Sequence, residues 1–201
     1  MFDVVMFDFD GVLRHFQRER VGPIEQAAGL PAGAIRSAAF AEDLLSQAVT
    51  GAITDEQWRE LVAQRLQEAY PASDAATAVH EWSAGIGAID VEMLAIIREC
   101  RVKTRVVLLS NATSRLPTDM RILGVDGEFD LIVNSSVVGV AKPDPRIIEY
   151  VIAKVNTSAE RTIFIDDTIE HVDSANSVGI TAFVHESNEA NRSRLIELGV
   201  L

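Results

Sequence analysis

Asp8 and Asp10 end the first apolar run of this 201-residue chain, in Phe7-Asp8-Phe9-Asp10-Gly11. Ser110-Asn111 end a second run and Asp166-Asp167 a fourth, while Lys142 stands just before a helical pattern in Ala141-Lys142-Pro143-Asp144-Pro145. Asp8 and Asp10 are two residues apart, so an extended backbone points both side chains the same way. One could attack an electrophile while the other handles a proton. Four carboxylates gathered on one rim repel each other strongly without a counter-ion. Asp8, Asp10 and Asp167 supply the hard oxygen ligands that magnesium prefers, with room for water and a phosphate oxygen. Ser110 and Lys142 add a hydroxyl donor and a fixed positive charge suited to phosphoryl oxygens in transfer.

Each of these residues has a plainer reading when taken alone. A strand-terminal aspartate is usually a turn former or a helix cap, and Asp167-Thr168 could simply cap the helix that follows. Ser110-Asn111 is unremarkable by itself, and a single lysine is most often solvated. Their occurrence in order, at the ends of successive strands, is hard to ascribe to turns.

The elements that must position them are legible as two kinds of pattern. Near-continuous Val, Ile, Leu and Phe over residues 4–9, 105–109, 131–133, 162–165 and 181–184 predict parallel strands buried on both faces. Helical patterns over 114–123, 144–155, 169–178 and 188–198 separate the later strands. Alternation of this kind implies right-handed crossovers and a doubly wound α/β sheet, whose ligands bind at the carboxyl ends of the strands. About ninety residues lie between the first two strands, far more than one crossover helix requires. Most of that interval reads as helix. Residues 32–49 are alanine-rich with apolar residues at helical spacing, and Thr54-Asp55-Glu56-Gln57 is a capping box opening a helix over 58–69. Pro71 to Asp74 opens another helix reaching about residue 83. Gly85-Ile86-Gly87 marks a hinge-like return, and 89–101 is one more helix. The expected organisation is an α/β core of residues 1–15 and 85–201, with a small helical cap of residues 16–84 placed on the sheet.

These motifs resemble the haloacid dehalogenase-like hydrolases that carry a helical cap after the first motif. Asp8-Phe9-Asp10-Gly11-Val12-Leu13 matches the first family motif, Leu108-Leu109-Ser110-Asn111 the second, Lys142-Pro143-Asp144-Pro145 the third and Phe164-Ile165-Asp166-Asp167 the fourth. The matches span the whole core in the family's order. The stretch Gly51-Ala52-Ile53-Thr54-Asp55-Glu56 is similar to small-capped sugar-phosphate phosphatases and to the phosphatase domain of soluble epoxide hydrolase. The resemblance implies a magnesium-dependent phosphatase acting on a small phosphorylated metabolite. In it, Asp8 forms an aspartyl-phosphate, and Asp10 protonates the leaving oxygen and then activates water. Ser110, Asn111 and Lys142 bind the phosphate. Magnesium is held by the Asp8 side chain, the Asp10 backbone carbonyl and the Asp167 side chain, and Asp166 supports the metal's waters or Lys142. The chain departs from the family at His171, where Asn or Asp is common.

Specificity is expected in the cap and in Arg14-His15-Phe16-Gln17-Arg18, where Arg14 and Arg18 could meet a second anionic group and His15 a sugar hydroxyl. Trp58, Trp82 and His80 read as cap core and surface, and His185 as incidental. A phosphomutase shares all four motifs and differs mainly in how its cap limits water. A true dehalogenase needs neither metal nor a second aspartate, so Asp10 and Asp167 argue against it. A phosphonatase would want a cap lysine poised for a Schiff base. A receiver-type signalling module places its acid pair and its phospho-acceptor in the reverse order. A non-catalytic module would be expected to lack an early aspartate.

The net charge of −12 opposes nucleic acid and anionic membrane surfaces as partners. Cys100 stands alone in an apolar helical stretch, so no intrachain disulfide is possible and a small core residue is the expected role. The chain starts with no basic segment and contains no apolar stretch approaching the roughly 20 residues of a membrane helix. A cytoplasmic protein, monomeric or homodimeric, is the expectation.

Overall fold

The computed structural model describes all residues, 1–201. Seven strands occur in the order β1 (Val4–Phe7), β2 (Arg14–His15), β3 (Ala88–Ile89), β4 (Arg105–Ser110), β5 (Leu131–Asn134), β6 (Thr162–Asp166) and β7 (Thr181–Val184). Five of them form one parallel sheet of order β5-β4-β1-β6-β7. The central strands β1, β4 and β6 are buried almost throughout, as their unbroken apolar sequences require, whereas the edge strands are partly exposed.

Alternate residues of each strand feed opposite faces of the sheet. Val5 and Phe7 pack with Ile163 and Ile165 beneath α6 (Val91–Cys100), α7 (Leu116–Leu123) and α11 (Asn188–Glu197). Val4, Met6, Leu109 and Phe164 face α9 (Pro145–Val155) and α10 (Ile169–Ser177). The sheet is therefore doubly wound, with helices on both sides. Its pairing sets Phe7 beside Leu108 and Ile165, so β1, β4 and β6 end nearly level. That levelness brings Asp8, Ser110 and Asp166 to one rim.

The helical insertion contains α1 (Val21–Ala27), α2 (Ala34–Ala39), α3 (Glu42–Val49), α4 (Asp55–Ala69) and α5 (Ala75–Ser83). It has its own apolar core, built from Ile35, Val62, Leu66 and Val79 among others. Trp58 and Trp82 meet edge to face with ring centroids 5.6 Å apart, and the Trp58 indole N–H donates to the Ala39 carbonyl at 3.2 Å. The chain leaves the core through β2 and returns through β3, which pair antiparallel, Arg14 with Ile89 and His15 with Ala88.

Three differences from the sequence reading have local causes. The expected helix over 32–49 is two helices, because Ala41 is extended (φ −63, ψ 131) and restarts the chain as the cap of α3. Residues 21–27 form α1, for which Gly22-Pro23 gives no helical signal. Ile89 belongs to β3, and α6 begins only at Val91, where the Asp90 carboxylate accepts from the amides of Glu92 and Met93. A further single turn, α8 (Ser135–Val138), follows β5.

The capping box at the start of α4 is formed in full. The Thr54 hydroxyl accepts from the Gln57 amide at 3.2 Å and the Gln57 side chain accepts from the Thr54 amide at 2.9 Å. Thr54→Ala is expected to lower unfolding free energy by about 1 kcal/mol, measured by urea titration. An unchanged denaturation midpoint would show that the box adds nothing to the insertion's stability.

Candidate active site

Lys142 occupies the centre of the rim and is 5% exposed. Its ammonium lies 2.8 Å from Asp8 Oδ1 and 2.6 Å from Asp166 Oδ2, and donates to the Leu109 carbonyl at 3.1 Å. Three donors thus meet three acceptors, which is all an ammonium can offer. Asn111 sets the lysine in place. Its amide donates to the Lys142 carbonyl and its carbonyl oxygen accepts from the Lys142 amide, both at 2.8 Å. The Asn111 side chain thus spends its carbonyl oxygen and one of its two N–H donors on the lysine backbone. Ser110 ends β4 and is 1% exposed, and its hydroxyl makes no hydrogen bond to the rest of the protein.

Asp166 is wholly buried. Its second oxygen accepts from the Thr168 amide and lies 2.9 Å from His171 Nδ1. His171, where the family commonly has Asn or Asp, thus contacts Asp166. The three carboxylates of Asp8, Asp166 and Asp167 bring oxygens within 4.8 Å of one another, with Asp167 exposed. Gly11 has φ +94, and a Cβ there would lie 2.0 Å from Asp167 Oδ2, so only glycine lets the backbone after Asp10 approach that carboxylate. An all-oxygen donor group of this kind fits a hard divalent cation such as magnesium and offers nothing to a soft one.

Asp10 stands outside that three-carboxylate group. Its two oxygens accept from Arg14 Nε at 2.5 Å and Arg14 Nη2 at 2.9 Å, and the third guanidinium nitrogen of Arg14 reaches Asp119 Oδ2 at 2.8 Å. Arg14 is therefore buried and ion-paired, and does not reach out to substrate as its sequence neighbourhood implies. His15 is half-exposed, with Nε2 3.7 Å from Asp90 Oδ2, and Arg18 lies exposed in a 3-10 turn. His185 sits closer to the site than expected. Its amide donates to the Asp166 carbonyl at 2.8 Å and its ring pairs with the Asn191 side chain at 2.7 Å. Nothing in the local sequence marks that placement, since β7 has to pair with β6 to create it. Cys100 is buried and its thiol is pushed up to about 12, chiefly by burial, so it is inert.

The electrostatics follow from burial and from one lysine serving two acids. Burial pushes Asp8 up to about 7, with the Lys142 charge opposing and the Asp166 charge adding to the rise. Burial would also raise Asp166, but the bond from His171 and the charge of Lys142 outweigh it and hold the carboxyl below its ordinary value. Burial disfavours the Lys142 ammonium, yet Asp8 and Asp166 more than compensate and raise it.

The family model for haloacid dehalogenase-like hydrolases matches residues 2–179. Among curated relatives, a sesquiterpene phosphatase of Aspergillus oryzae is 32% identical over 93 residues, covering 45% of this chain and 47% of that protein. The bifunctional epoxide hydrolase 2 of Mus musculus is 24% identical over 212 residues, covering 94% of this chain and 37% of that protein. The matched stretch thus spans less than half the length of either relative. Among solved structures, a HAD family enzyme of Bacteroides thetaiotaomicron, in complex with magnesium and inorganic phosphate, superposes with a TM-score of 0.74. Its identity is 22% over 92% of this chain and 94% of that one, so the likeness is one of fold.

The raised Asp8 gives a signed expectation for the metal-free protein. A group whose folded value exceeds its unfolded one stabilises below the unfolded value and loses that contribution as pH rises through the folded one. In chelator, Asp8→Asn should therefore gain melting temperature over the wild type as pH climbs from 3.8 to about 7, and level off above that. A difference that stays flat across the window would contradict this account of the rim.

Proposed function

The chain belongs to the haloacid dehalogenase-like hydrolases, and on that premise we propose that it is a magnesium-dependent phosphatase hydrolysing a small phosphate monoester through an aspartyl-phosphate on Asp8. The observation that carries the reading is the buried triangle of Lys142 with Asp8 and Asp166, set beside an exposed Asp167. One Asp8 oxygen there meets a fixed positive charge beside an all-oxygen carboxylate group, which supports the reading. A relative that is itself a phosphatase, and a fold neighbour holding magnesium and inorganic phosphate, support the same chemistry.

The residues have distinct tasks in this reading. Asp8 attacks phosphorus, and the bond to the leaving oxygen breaks as Asp10 gives that oxygen a proton. Asp10, now a base, takes a proton from the water that attacks the phosphoryl group, and Asp8 is released with inorganic phosphate. Lys142 keeps Asp8 oriented throughout, and a phosphoryl oxygen approaching the ammonium must share it with one of its present acceptors. The Ser110 hydroxyl is free to donate to another phosphoryl oxygen. Asp8, Asp167 and the Asp10 backbone carbonyl would hold magnesium. When bound, the cation neutralises the clustered carboxylates and the phosphoryl oxygens.

The helical insertion serves as the cap in this reading. It sits on the loop that follows Ser110 and Asn111, where the Thr113 hydroxyl donates to Asp55 at 2.8 Å and the Asp55 amide donates to the Ser114 hydroxyl at 2.9 Å. Closure there would exclude bulk water while admitting the one molecule that the second step needs. His15 and Arg18 remain the candidates for contacting the rest of the substrate.

Asp8→Asn is expected to reduce turnover of p-nitrophenyl phosphate by at least about 10⁴-fold while leaving the fold intact by circular dichroism. Near-normal turnover in that variant would sink the covalent route. Chelator should silence the wild type and magnesium should restore it. Full activity in excess chelator would instead point to the metal-independent chemistry of a dehalogenase.

A further inference from the structure

Arg14 is buried more thoroughly than a linker residue needs to be. Its side chain is 6% exposed, and the guanidinium lies between the rings of Phe9 and Phe16, at 4.5 and 4.7 Å from their centroids. Gly87, with φ +76, makes room for it, because a Cβ there would lie 2.9 Å from Arg14 Cγ. Two of its nitrogens hold the two oxygens of Asp10, and the third holds Asp119. The other Asp119 oxygen accepts from Arg115 Nε at 2.8 Å, and Arg115 Nη1 donates to the Ser83 carbonyl at 2.5 Å. Ser83 is the last residue of α5, where the insertion turns back to the core. An unbroken line of charge-assisted bonds therefore joins Asp10 to the exit of the helical insertion.

We propose that Arg14 is a positioning residue for Asp10, and that the Asp119–Arg115 pair ties the orientation of Asp10 to the seat of the insertion. The proposal rests on the reading of Asp10 as acid and base. A fork of two parallel bonds fixes the carboxylate plane as well as its place, which a single ammonium contact could not do. Asp119 is shared between Arg14 and Arg115, so a shift of the insertion at Ser83 changes how firmly Asp119 holds Arg14. That change arrives at Asp10, and neither Asp119 nor Arg115 need touch the substrate.

Rapid mixing of the magnesium-loaded full chain with p-nitrophenyl phosphate and with benzyl phosphate tests this. The two differ in the need for a proton, since p-nitrophenolate leaves without help and a benzyl alkoxide does not. Asp119→Asn and Arg115→Gln should each slow the phosphorylation step of benzyl phosphate by about tenfold, a part of the 10²–10⁴-fold available to a positioned acid. Both should leave the p-nitrophenyl phosphate step and both KM values within about twofold. Arg115 is partly exposed, so its variant remains informative if Asp119→Asn folds poorly. Equal slowing of the two substrates would mean general structural damage and would overturn the proposal. So would variants indistinguishable from wild type while Asp10→Asn still discriminates between the substrates, which defeats the relay and leaves the acid role standing. If Asp10→Asn itself slows both substrates alike, the acid role falls and the relay falls with it.

Discussion

The ammonium of Lys142, enclosed with Asp8, Asp166 and the Leu109 carbonyl, sets terms that the surrounding structure has to meet. A buried ammonium without acceptors is far too costly to persist, and so are two buried carboxylates without a cation. The three partners stand at or just beyond the ends of three different strands, so β1, β4 and β6 must end at one level, and their register does that. The loop before α9 must deliver the lysine backbone to the same place, and the Asn111 side chain fastens it there. With Asp167 added, three carboxylates face one ammonium. The formal excess of two negative charges has the size of a divalent cation's charge.

The helical insertion is bound into the same region. Its Asp55 meets Thr113 and Ser114 in the loop that continues from Ser110 and Asn111. Gly51, with φ +74, presses against α8, where a Cβ would lie 2.0 Å from the Ser136 carbonyl. The next residue along the loop after Ser114, Arg115, holds the exit of α5. The insertion thus touches the core at α8 and along the segment that continues from the rim residues Ser110 and Asn111. Well-packed apolar residues often tolerate the same burial at less cost than paired charges do.

Much of this was legible in the chain itself. Parallel strands buried on both faces leave unbroken apolar runs, and all five runs became strands of the main sheet. Of the polar residues at which the runs stop, the levelled strand ends bring Asp8 and Asp166 onto Lys142, with Asp167 beside them. The capping box of α4 was legible because both of its bonds span only three residues. Other features depend on partners remote in sequence. Arg14 reads as a candidate contact for an anionic group of the substrate because its second partner, Asp119, is 105 positions away. His185 gains its place only when β7 pairs with β6. The division of 32–49 into two helices turns on a single extended residue, Ala41, whose type favours helix everywhere else.

The central claim is that the buried oxygen of Asp8 becomes covalently bonded to phosphorus. Mixing the Asp10→Asn variant with magnesium and p-nitrophenyl phosphate, quenching in acid within milliseconds, and mapping the peptide mass tests it directly. The account predicts one phosphoryl group on the peptide carrying Asp8, appearing with the p-nitrophenolate burst and accumulating because its hydrolysis lacks a base. Release of p-nitrophenolate and inorganic phosphate together, with that peptide unmodified at every quench time, would contradict it.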